Sequence, residues 1–385
     1  MSPPNSFDVA VIGAGAFGSW AAYWLRKSGA SVVLLDSYGP GNARASSGGE
    51  SRIIRMGYGA DEIYTRSSMR ALPLWLEVLA EAGQPNLFQR TGVLWIAYKN
   101  EQYSLAALST LQKCGAKFEE LSREELVRRY PQIVFEDDDW GIFEPDSGVL
   151  LASRAVQTVV DQSRKIGVDY REDAVLPPSG KGRLTAVNTG SGASFSAGTF
   201  VFACGPWLPK VFPALLGNRI FPTRQEVFFF GIPAGDPRFS PPAMPAWIHE
   251  RDLYYGMPDI EGRGFKIAFD EHGPAVDPDT QSRIATPEAL AGAQRYLGRR
   301  FPGLKDAPVV ETRVCQYENT SNGDFLIDRH PDFENVWLVG GGSGHGFKHG
   351  PSVGEYIAAR VTKGGAVDPR YSLATKQTMQ KRAIY

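Results

Sequence analysis

The feature that most constrains the fold is a glycine-rich turn near the start of the chain, with the letters GAGAFG at residues 13–18. A short apolar run at residues 7–12 precedes this turn, and apolar residues at helical spacing follow it as far as Gly29. A second apolar run, residues 31–36, ends on Asp36. A strand, a glycine turn, a helix and a second strand within about 30 residues form a βαβ unit. The sequence therefore predicts a parallel sheet that opens with a dinucleotide site.

Each part of this unit has a physical role in binding a dinucleotide. The glycines permit a tight turn, allow the pyrophosphate to approach the backbone and let the helix pack closely, while the helix N-terminus attracts phosphate. Asp36 lies 18 residues after Gly18, where a carboxylate can accept hydrogen bonds from the adenosine ribose and exclude a 2′-phosphate, which disfavours NADP. The candidate cofactor-binding residues in this part of the chain are Gly13, Gly15, Phe17, Gly18, Asp36 and Ser47.

Two later segments indicate that the cofactor domain is built from separate parts of the chain. Residues 199–205 and 336–340 are apolar strands that run into glycine-rich turns, as residues 7–12 do. Contacts from several segments suit a long cofactor and favour FAD over NAD. The fold class is therefore expected to be α/β plus α+β, with a Rossmann-type FAD-binding domain and a mainly antiparallel substrate domain. The expected FAD-binding segments are 1–88, 149–215 and 310–385, and the expected substrate-domain segments are 89–148 and 216–309.

Local patterns give further expectations. Residues 101–130 form a polar helical stretch, and residues 153–166 form a helix for which Ser153 is a possible N-cap. A last helix is expected from Val353 onward. In the second domain, strands are expected at residues 226–231, 252–257 and 264–269.

Composition excludes several classes of partner. The chain has 385 residues and a formal net charge of −1, with 41 basic and 42 acidic residues intermixed, so neither nucleic acid nor a membrane surface is expected to bind. No secretory leader pattern or apolar run of about 18 residues is seen, so a cytoplasmic protein is expected. Three cysteines without C-x-x-C spacing give no disulfide framework and no metal site. A small molecule is the expected partner.

More specific motifs lie in four segments, 50–55 with Tyr58 following, 314–317, 325–328 and 343–348. Their sequences are ESRIIR, VCQY, FLID and SGHGFK. With these motifs the chain resembles, over nearly its whole length, the monomeric sarcosine oxidase family. N-methyltryptophan, pipecolate and fructosyl-amino-acid oxidases are relatives within the D-amino-acid-oxidase-like flavoproteins.

The resemblance implies how FAD is held. Cys315 matches the cysteine that carries FAD covalently through the 8α-methyl group, a bond that a thiolate can form with the electrophilic quinone-methide flavin. Cys114 and Cys204 lack this context and are expected to be structural. Arg52 matches an arginine near the flavin, although a helix-surface or pyrophosphate role is also open. Backbone amides around Gly344 and Gly346 are expected to stabilise negative charge on the flavin.

The resemblance also implies the substrate-binding residues. Arg55 and Lys348 match the basic pair that holds the substrate carboxylate, and Lys348 thereby also adjoins the cofactor. Lys266 matches the lysine that accelerates the reaction with oxygen. Tyr255 and Tyr317 match pocket aromatics, but both could equally be packing residues.

Two departures from the sarcosine oxidase pattern concern the substrate. Gly48 and Asp270 stand where sarcosine oxidases have histidines. The absence of a side chain at Gly48 is expected to widen the pocket for a substrate bulkier than sarcosine. His272 is either a displaced counterpart of the second histidine or a loop residue.

The expected function is oxidation of the C–N bond of a small secondary amino acid, N-alkyl or cyclic, by a protein that is expected to be a monomer. Hydride passes to flavin N5, the imine product hydrolyses, and oxygen is reduced to hydrogen peroxide. Alternatives are a fructosyl-amino-acid or primary amino-acid oxidase, and a dehydrogenase with another electron acceptor. A hydroxy-acid oxidase and a non-catalytic flavin-binding module are further alternatives, and the joint presence of Arg55, Lys266, Cys315 and Lys348 argues against the module.

Overall fold

The computed structural model describes residues 5–380. Its strands β1 to β18 are, in chain order, Ser6–Ile12, Val32–Asp36, Arg52–Ile54, Phe88–Gln89, Val93–Tyr98, Glu119–Leu121, Asp139–Glu144, Gly148–Leu150, Asp169–Glu172, Ala186–Asn188, Ser194–Phe202, Ile220–Phe230, Ala246–His249, Tyr254–Met257, Phe265–Phe269, Val309–Thr320, Leu326–Arg329 and Val336–Gly340. Its helices α1 to α9 are Ala16–Lys27, Glu62–Glu81, Gln102–Cys114, Arg123–Arg129, Ala152–Lys165, Leu208–Val211, Pro213–Leu216, Pro287–Arg300 and Gly350–Lys363.

The first sheet has the order β17-β18-β11-β1-β2-β9, and β10 pairs with β11. Strands β18, β11, β1, β2 and β9 run parallel, and β17 is antiparallel. The apolar runs of β2 and β18 are buried, as in a sheet covered on both faces. The predicted strands at residues 7–12, 31–36, 199–205 and 336–340 all lie in this sheet, so the predicted α/β fold is confirmed.

The glycine turn lies where the strand order reverses. Strand β1 pairs with β2 on one side and with β11 on the other, which opens a crevice at the carboxyl ends of the strands. Gly13 has φ of +104°, and a Cβ there would lie 2.3 Å from the carbonyl oxygen of Ala203. The turn after β1 therefore lies directly against the turn after β11.

The second sheet has the order β16-β12-β15-β14-β13-β5-β7-β6 and is antiparallel except where β13 pairs with β5. One face packs on α8 around Trp247, Phe265 and Phe301. The strands predicted near residues 226, 252 and 264 are present as β12, β14 and β15, although β12 begins at Ile220. A third, small sheet, β3-β8-β4, carries Arg52 at its edge.

Three local predictions are wrong. Ser153 does not cap its helix: α5 begins at Ala152, and the Ser153 hydroxyl donates a hydrogen bond to the carbonyl oxygen of Gly41 at 2.6 Å. The predicted helical stretch 101–130 is two helices, α3 and α4, separated by β6. Helix α9 begins at Gly350 rather than Val353, because Pro351 is tolerated in a first helical turn.

Within residues 5–380, no helix combines the length and the apolar character that a membrane span requires.

Glu144, at the end of β7, fixes the segment that follows β3. Its buried carboxylate accepts hydrogen bonds from the backbone amides of Met56 and Gly57 at 2.6 and 2.9 Å. It also accepts bonds from the Trp95 indole at 2.8 Å and the Ser147 hydroxyl at 2.6 Å. Four donors compensate the cost of burying this charge and tie the small sheet to the second sheet.

We therefore expect Glu144→Leu to lower the free energy of unfolding by roughly 3 kcal/mol, because it leaves buried backbone amides without acceptors. Denaturant unfolding followed by circular dichroism measures this change. Glu77→Leu, at an exposed position of α2, is the matched control and should change the unfolding free energy by less than about 0.5 kcal/mol. A loss below about 1 kcal/mol at Glu144 would contradict the structural role.

Candidate active site

Two cavities adjoin at the boundary between the first and second sheets. The first, of about 1300 Å³, follows the crevice at the glycine turn. The predicted residues that line it are Gly13, Gly15, Phe17, Asp36, Ser47, Arg52, Tyr317, Gly344 and Gly346. Gly18 lies beneath the turn rather than on the cavity wall, since a Cβ there would be 1.8 Å from the carbonyl oxygen of Gly13. Its role is therefore the close packing of α1 on β1.

Asp36 closes one end of the first cavity. One carboxylate oxygen accepts a hydrogen bond from the amide of Ala14 at 2.7 Å, and the other accepts from the amide of Tyr38 at 2.9 Å. Burial raises the pKa of Asp36, while these backbone amides oppose the shift. The carboxylate is thus held at the end of β2, beside the glycine turn.

Glu318 is a residue of the first cavity that the sequence did not reveal. One carboxylate oxygen accepts a hydrogen bond from the amide of Gly342 at 3.3 Å, whereas the other is buried without a hydrogen-bond partner among residues 5–380. Burial raises the pKa of Glu318 to about 7, although the Gly342 and Gly341 amides lower it. A buried polar atom without a partner on a cavity wall indicates a ligand group opposite it.

Cys315 lines neither cavity, but it lies beside Arg52, which lines both. The Arg52 guanidinium is 3.4 Å from the Cys315 sulfur and donates to the carbonyl oxygens of Ser46 and Ser51 at 2.7 and 2.8 Å. Cys204, which was expected to be structural, lines the first cavity, but burial raises the pKa of its thiol.

Lys266 lines neither cavity. Its buried ammonium donates to the carbonyl oxygen of Ser51 at 2.8 Å and to the hydroxyl of Ser51 at 3.2 Å. Burial and the charge of Arg52 hold the pKa of Lys266 well below its usual range. Ser51 therefore connects Lys266 to Arg52, a connection that the sequence did not predict.

The second cavity, of about 1260 Å³, contains the predicted basic pair. The Arg55 guanidinium lies between two rings, 4.2 Å from the centroid of Tyr58 and 4.7 Å from that of Trp95. The Lys348 ammonium donates to the Tyr58 hydroxyl at 2.8 Å and to the carbonyl oxygen of His345 at 3.0 Å. Burial and the charge of Arg55 lower the pKa of Lys348. Tyr58 thus joins the two cations, as expected for the pair that would bind one carboxylate.

The two cavities share a wall. Arg52, Tyr317, Ser343, Gly344 and Phe347 line both of them. Tyr255 lines the second cavity, and its hydroxyl is 3.4 Å from that of Tyr317. A group bound in the first cavity would therefore face a group bound in the second.

The residues that depart from the sarcosine oxidase pattern lie in different places relative to the second cavity. Asp270 and His272 both line the second cavity, and His272 is hydrogen-bonded to Gln380 at 2.6 Å. Gly48 is not on this wall, and a Cβ there would lie 1.7 Å from the backbone oxygen of Asn42. The prediction that Gly48 widens the substrate pocket is therefore wrong, because the glycine serves a close backbone contact.

Fold and site together define a flavin-dependent oxidoreductase with a dinucleotide crevice beside a cation-lined cavity. Residues 8–360 match the family model described as FAD dependent oxidoreductase. The chain belongs to this family, and FAD is its cofactor.

Similar proteins support the assignment. The chain is 33% identical to monomeric sarcosine oxidase from Bacillus sp. (strain NS-129), with 93% of each chain covered. It is 30% identical to N-methyl-L-tryptophan oxidase from Salmonella arizonae, over 91% of this chain and 94% of the relative. The structure of L-proline dehydrogenase from P. horikoshii superposes with a TM-score of 0.82 at 22% identity, over 96% of this chain and 97% of that chain. This last likeness concerns the fold.

The residues of the first cavity fit FAD. The glycine turn leaves backbone amides open to a pyrophosphate, Asp36 suits a ribose, and the buried oxygen of Glu318 lacks a donor that a ligand hydroxyl or N–H could supply. Arg52 lines the wall shared with the second cavity, and the Cys315 sulfur lies 3.4 Å from its guanidinium.

In a Cys315→Ser background, where no covalent bond can retain the flavin, we expect Glu318→Leu to lower the FAD content of the purified protein, because it removes a buried polar contact worth a factor of roughly 10 in affinity. Glu318→Gln keeps a polar group of the same shape and should retain most of the flavin. The ratio of flavin absorbance to protein absorbance measures occupancy, and circular dichroism confirms that both variants fold. Full occupancy in a folded Glu318→Leu protein would show that the carboxyl does not contact the cofactor.

Proposed function

We propose that this protein oxidises the C–N bond of a small secondary amino acid, N-alkyl or cyclic, with oxygen as the electron acceptor. The products are an imine, which water hydrolyses, and hydrogen peroxide. The observation that carries this proposal is the Arg55 and Lys348 pair in a cavity that shares the Tyr317 wall with the dinucleotide cavity. Such a pair provides charge-assisted hydrogen bonds for the carboxylate of an amino acid.

The names of the similar proteins support this class of substrate. Sarcosine, N-methyl-L-tryptophan and L-proline are all amino acids whose α-nitrogen is a secondary amine. Their side chains differ, so the shared features are the carboxylate and the adjacent amine. In this protein Arg55 and Lys348 would bind the carboxylate.

The protein's part in the reaction is orientation and exclusion of water. The Arg55 fork and the Lys348 ammonium would fix the carboxylate, and Tyr255 and Tyr317 would limit how the α-carbon can lie. Gly344 lines the shared wall, whereas the Gly346 amide donates to the carbonyl oxygen of Gly342 at 2.8 Å. When bound, FAD supplies the acceptor of a hydride from the carbon next to the amine nitrogen.

Lys266 would serve the reaction with oxygen. A cation held by Ser51 beside the cofactor cavity stabilises negative charge that develops on oxygen when the first electron is transferred. Burial and Arg52 lower the pKa of Lys266, so this cation would be lost as pH rises.

Cys315 would carry FAD covalently. Its sulfur lies 3.4 Å from the guanidinium of Arg52, which lines both cavities, and a cysteine sulfur is the nucleophile that would add to the flavin 8α-methyl position. We further propose a monomeric, cytoplasmic protein divided into an FAD-binding part, residues 1–88, 149–215 and 310–385, and a substrate part, residues 89–148 and 216–309.

The covalent link is tested by the visible spectrum of the protein after acid precipitation. We expect the wild-type pellet to stay yellow and the Cys315→Ser pellet to lose its flavin to the supernatant, because serine cannot form the thioether. Cys114→Ser is the matched control and should keep the colour in the pellet. Flavin released from the wild-type protein would exclude the link.

The reaction class is tested by peroxide release from sarcosine, N-methyl-L-tryptophan, L-proline and the corresponding primary amino acids. We expect peroxide with at least one secondary amine and lower kcat/KM for its primary counterpart. Anaerobic bleaching of the flavin without peroxide formation in air would instead support a dehydrogenase with another acceptor. No bleaching with any amine would contradict the proposed function.

Lys266→Met tests the proposed role in oxygen reduction. The rate at which oxygen reoxidises the reduced protein should fall on the order of 100-fold, since one preorganised charge is removed. In the wild-type protein this rate should fall as pH rises through the lowered pKa of Lys266, whereas the variant should show no such dependence. Stopped-flow absorbance measures both, with Lys210→Met, an exposed lysine, as control. Equal rates in Lys266→Met and wild type would refute the role.

A further inference from the structure

Two carboxylates in the second cavity have no role in the proposed reaction. Glu250 directly follows β13, and Asp270 directly follows β15. Both strands pair with β14, so their ends lie at the same region of the second sheet. Glu250 and Asp270 both line the cavity that holds Arg55 and Lys348.

Neither carboxylate is satisfied by the protein. Among residues 5–380, no hydrogen bond or ion pair reaches the side chain of Glu250 or Asp270. Glu144, by contrast, is a buried acid with a structural role, and its carboxylate accepts four hydrogen bonds from the protein. Because a carboxylate without hydrogen-bond donors in a cavity wall is costly, the two acids indicate a ligand that supplies such donors.

The electrostatics place these acids in contact with the rest of the site. Burial raises the pKa of Asp270 to about 6 although Arg55 and Lys348 lower it, so Asp270 lies within the field of both cations. Burial, Glu101 and Asp270 raise the pKa of Glu250 to about 8. The cavity therefore presents a cationic region at Arg55 and Lys348 and an acidic region at Glu250 and Asp270.

A ligand that satisfies both regions must carry both signs of charge. The α-carboxylate of an amino acid suits Arg55 and Lys348, and the reacting amine must be neutral to release a hydride. A second positive charge is then needed for the acidic region, and an ammonium or guanidinium supplies several donors for two carboxylates. A bound cation would also favour the charged forms of both acids.

We infer that the substrate is an amino acid with a second, cationic group at the end of its side chain, which Glu250 and Asp270 bind while Arg55 and Lys348 hold the α-carboxylate. This inference rests on the proposed function, because it assumes that the second cavity is the amino-acid site.

The experiment compares two substrates that differ in one group. Nα-methyl-lysine carries the cation, and Nα-methyl-2-aminoheptanoate has a methyl group in place of the ammonium. We expect kcat/KM of the wild-type protein to be on the order of 100-fold higher for Nα-methyl-lysine, because only that compound pairs the two acids. Nα-fructosyl-lysine and Nα-fructosyl-2-aminoheptanoate test whether a polyhydroxyl group is preferred instead.

Variants of Glu250 and Asp270 show whether these two acids cause the preference for Nα-methyl-lysine. Glu250→Gln and Asp270→Asn keep shape and remove charge, and each should reduce the ratio of kcat/KM between the two methylated substrates by about 10-fold or more. Glu77→Gln, an exposed acid on α2, should leave the ratio unchanged. An equal loss on both substrates in Glu250→Gln and Asp270→Asn would overturn the inference.

The outcomes separate this inference from the proposed function. Oxidation of Nα-methyl-2-aminoheptanoate at the same kcat/KM as Nα-methyl-lysine, or a preference for Nα-fructosyl-2-aminoheptanoate over Nα-methyl-lysine, would overturn the cationic substrate and leave amine oxidation standing. Failure of all four compounds, sarcosine and L-proline to bleach the flavin anaerobically would instead overturn the proposed function.

Discussion

The parallel pairing of β1 with β11 is the contact on which the rest of the site depends. It sets the turn after β1 against the turn after β11 so closely that Gly13 has no room for a side chain beside Ala203. The next pairing, of β11 with β18, brings the glycine-rich segment after Gly340 to the same edge. Three segments separated by more than a hundred residues thereby form one cavity wall. Hydrogen bonds between parallel strands fix their register, so the cofactor cavity is a consequence of sheet geometry rather than of any one loop.

The charges of the site are buried in two different ways. Arg55, Lys348 and Lys266 each meet protein groups: two aromatic rings, a tyrosine hydroxyl and the carbonyl oxygen of Ser51. These contacts offset desolvation and preorganise the cations. Glu250 and Asp270 accept no hydrogen bond within the described residues, although the charges of Arg55 and Lys348 partly offset their burial. The three cations are therefore held in place by protein groups, whereas the two acids are available to bind a ligand.

Features that depend on residues close together in the sequence could be predicted, whereas features that depend on contacts between distant segments could not. The glycine turn, Asp36 and the buried strands could be predicted because their residue types and spacing lie within one βαβ unit, and this part of the fold is confirmed. Ser153 failed as a cap because Gly41, distant in sequence, offers its hydroxyl another partner. Gly48 was misjudged because the backbone of Asn42, rather than the cavity, fills the space beside it. Glu144, Glu250 and Glu318 lie in no motif, and Ser51 lies in the 50–55 motif without a predicted role. The roles of all four arise only when separate strands meet. The assignments of individual residues to cofactor and substrate remain predictions.

Strand β15 illustrates how one scaffold can keep its chemistry and change its substrate. Residues on one face of a strand recur every second position, so Lys266, Ala268 and Asp270 follow one another along the same side. Lys266 lies opposite Met257, and Ala268 lies opposite Tyr255 in the second cavity. Lys266 thus contacts Ser51, whereas Asp270, just past the end of the strand, lines the second cavity. Because the two positions share a backbone but no direct contact in the described structure, substitution at Asp270 can alter which amine is bound without moving Lys266. This separation gives a physical reason why one fold can carry sites for different amino acids.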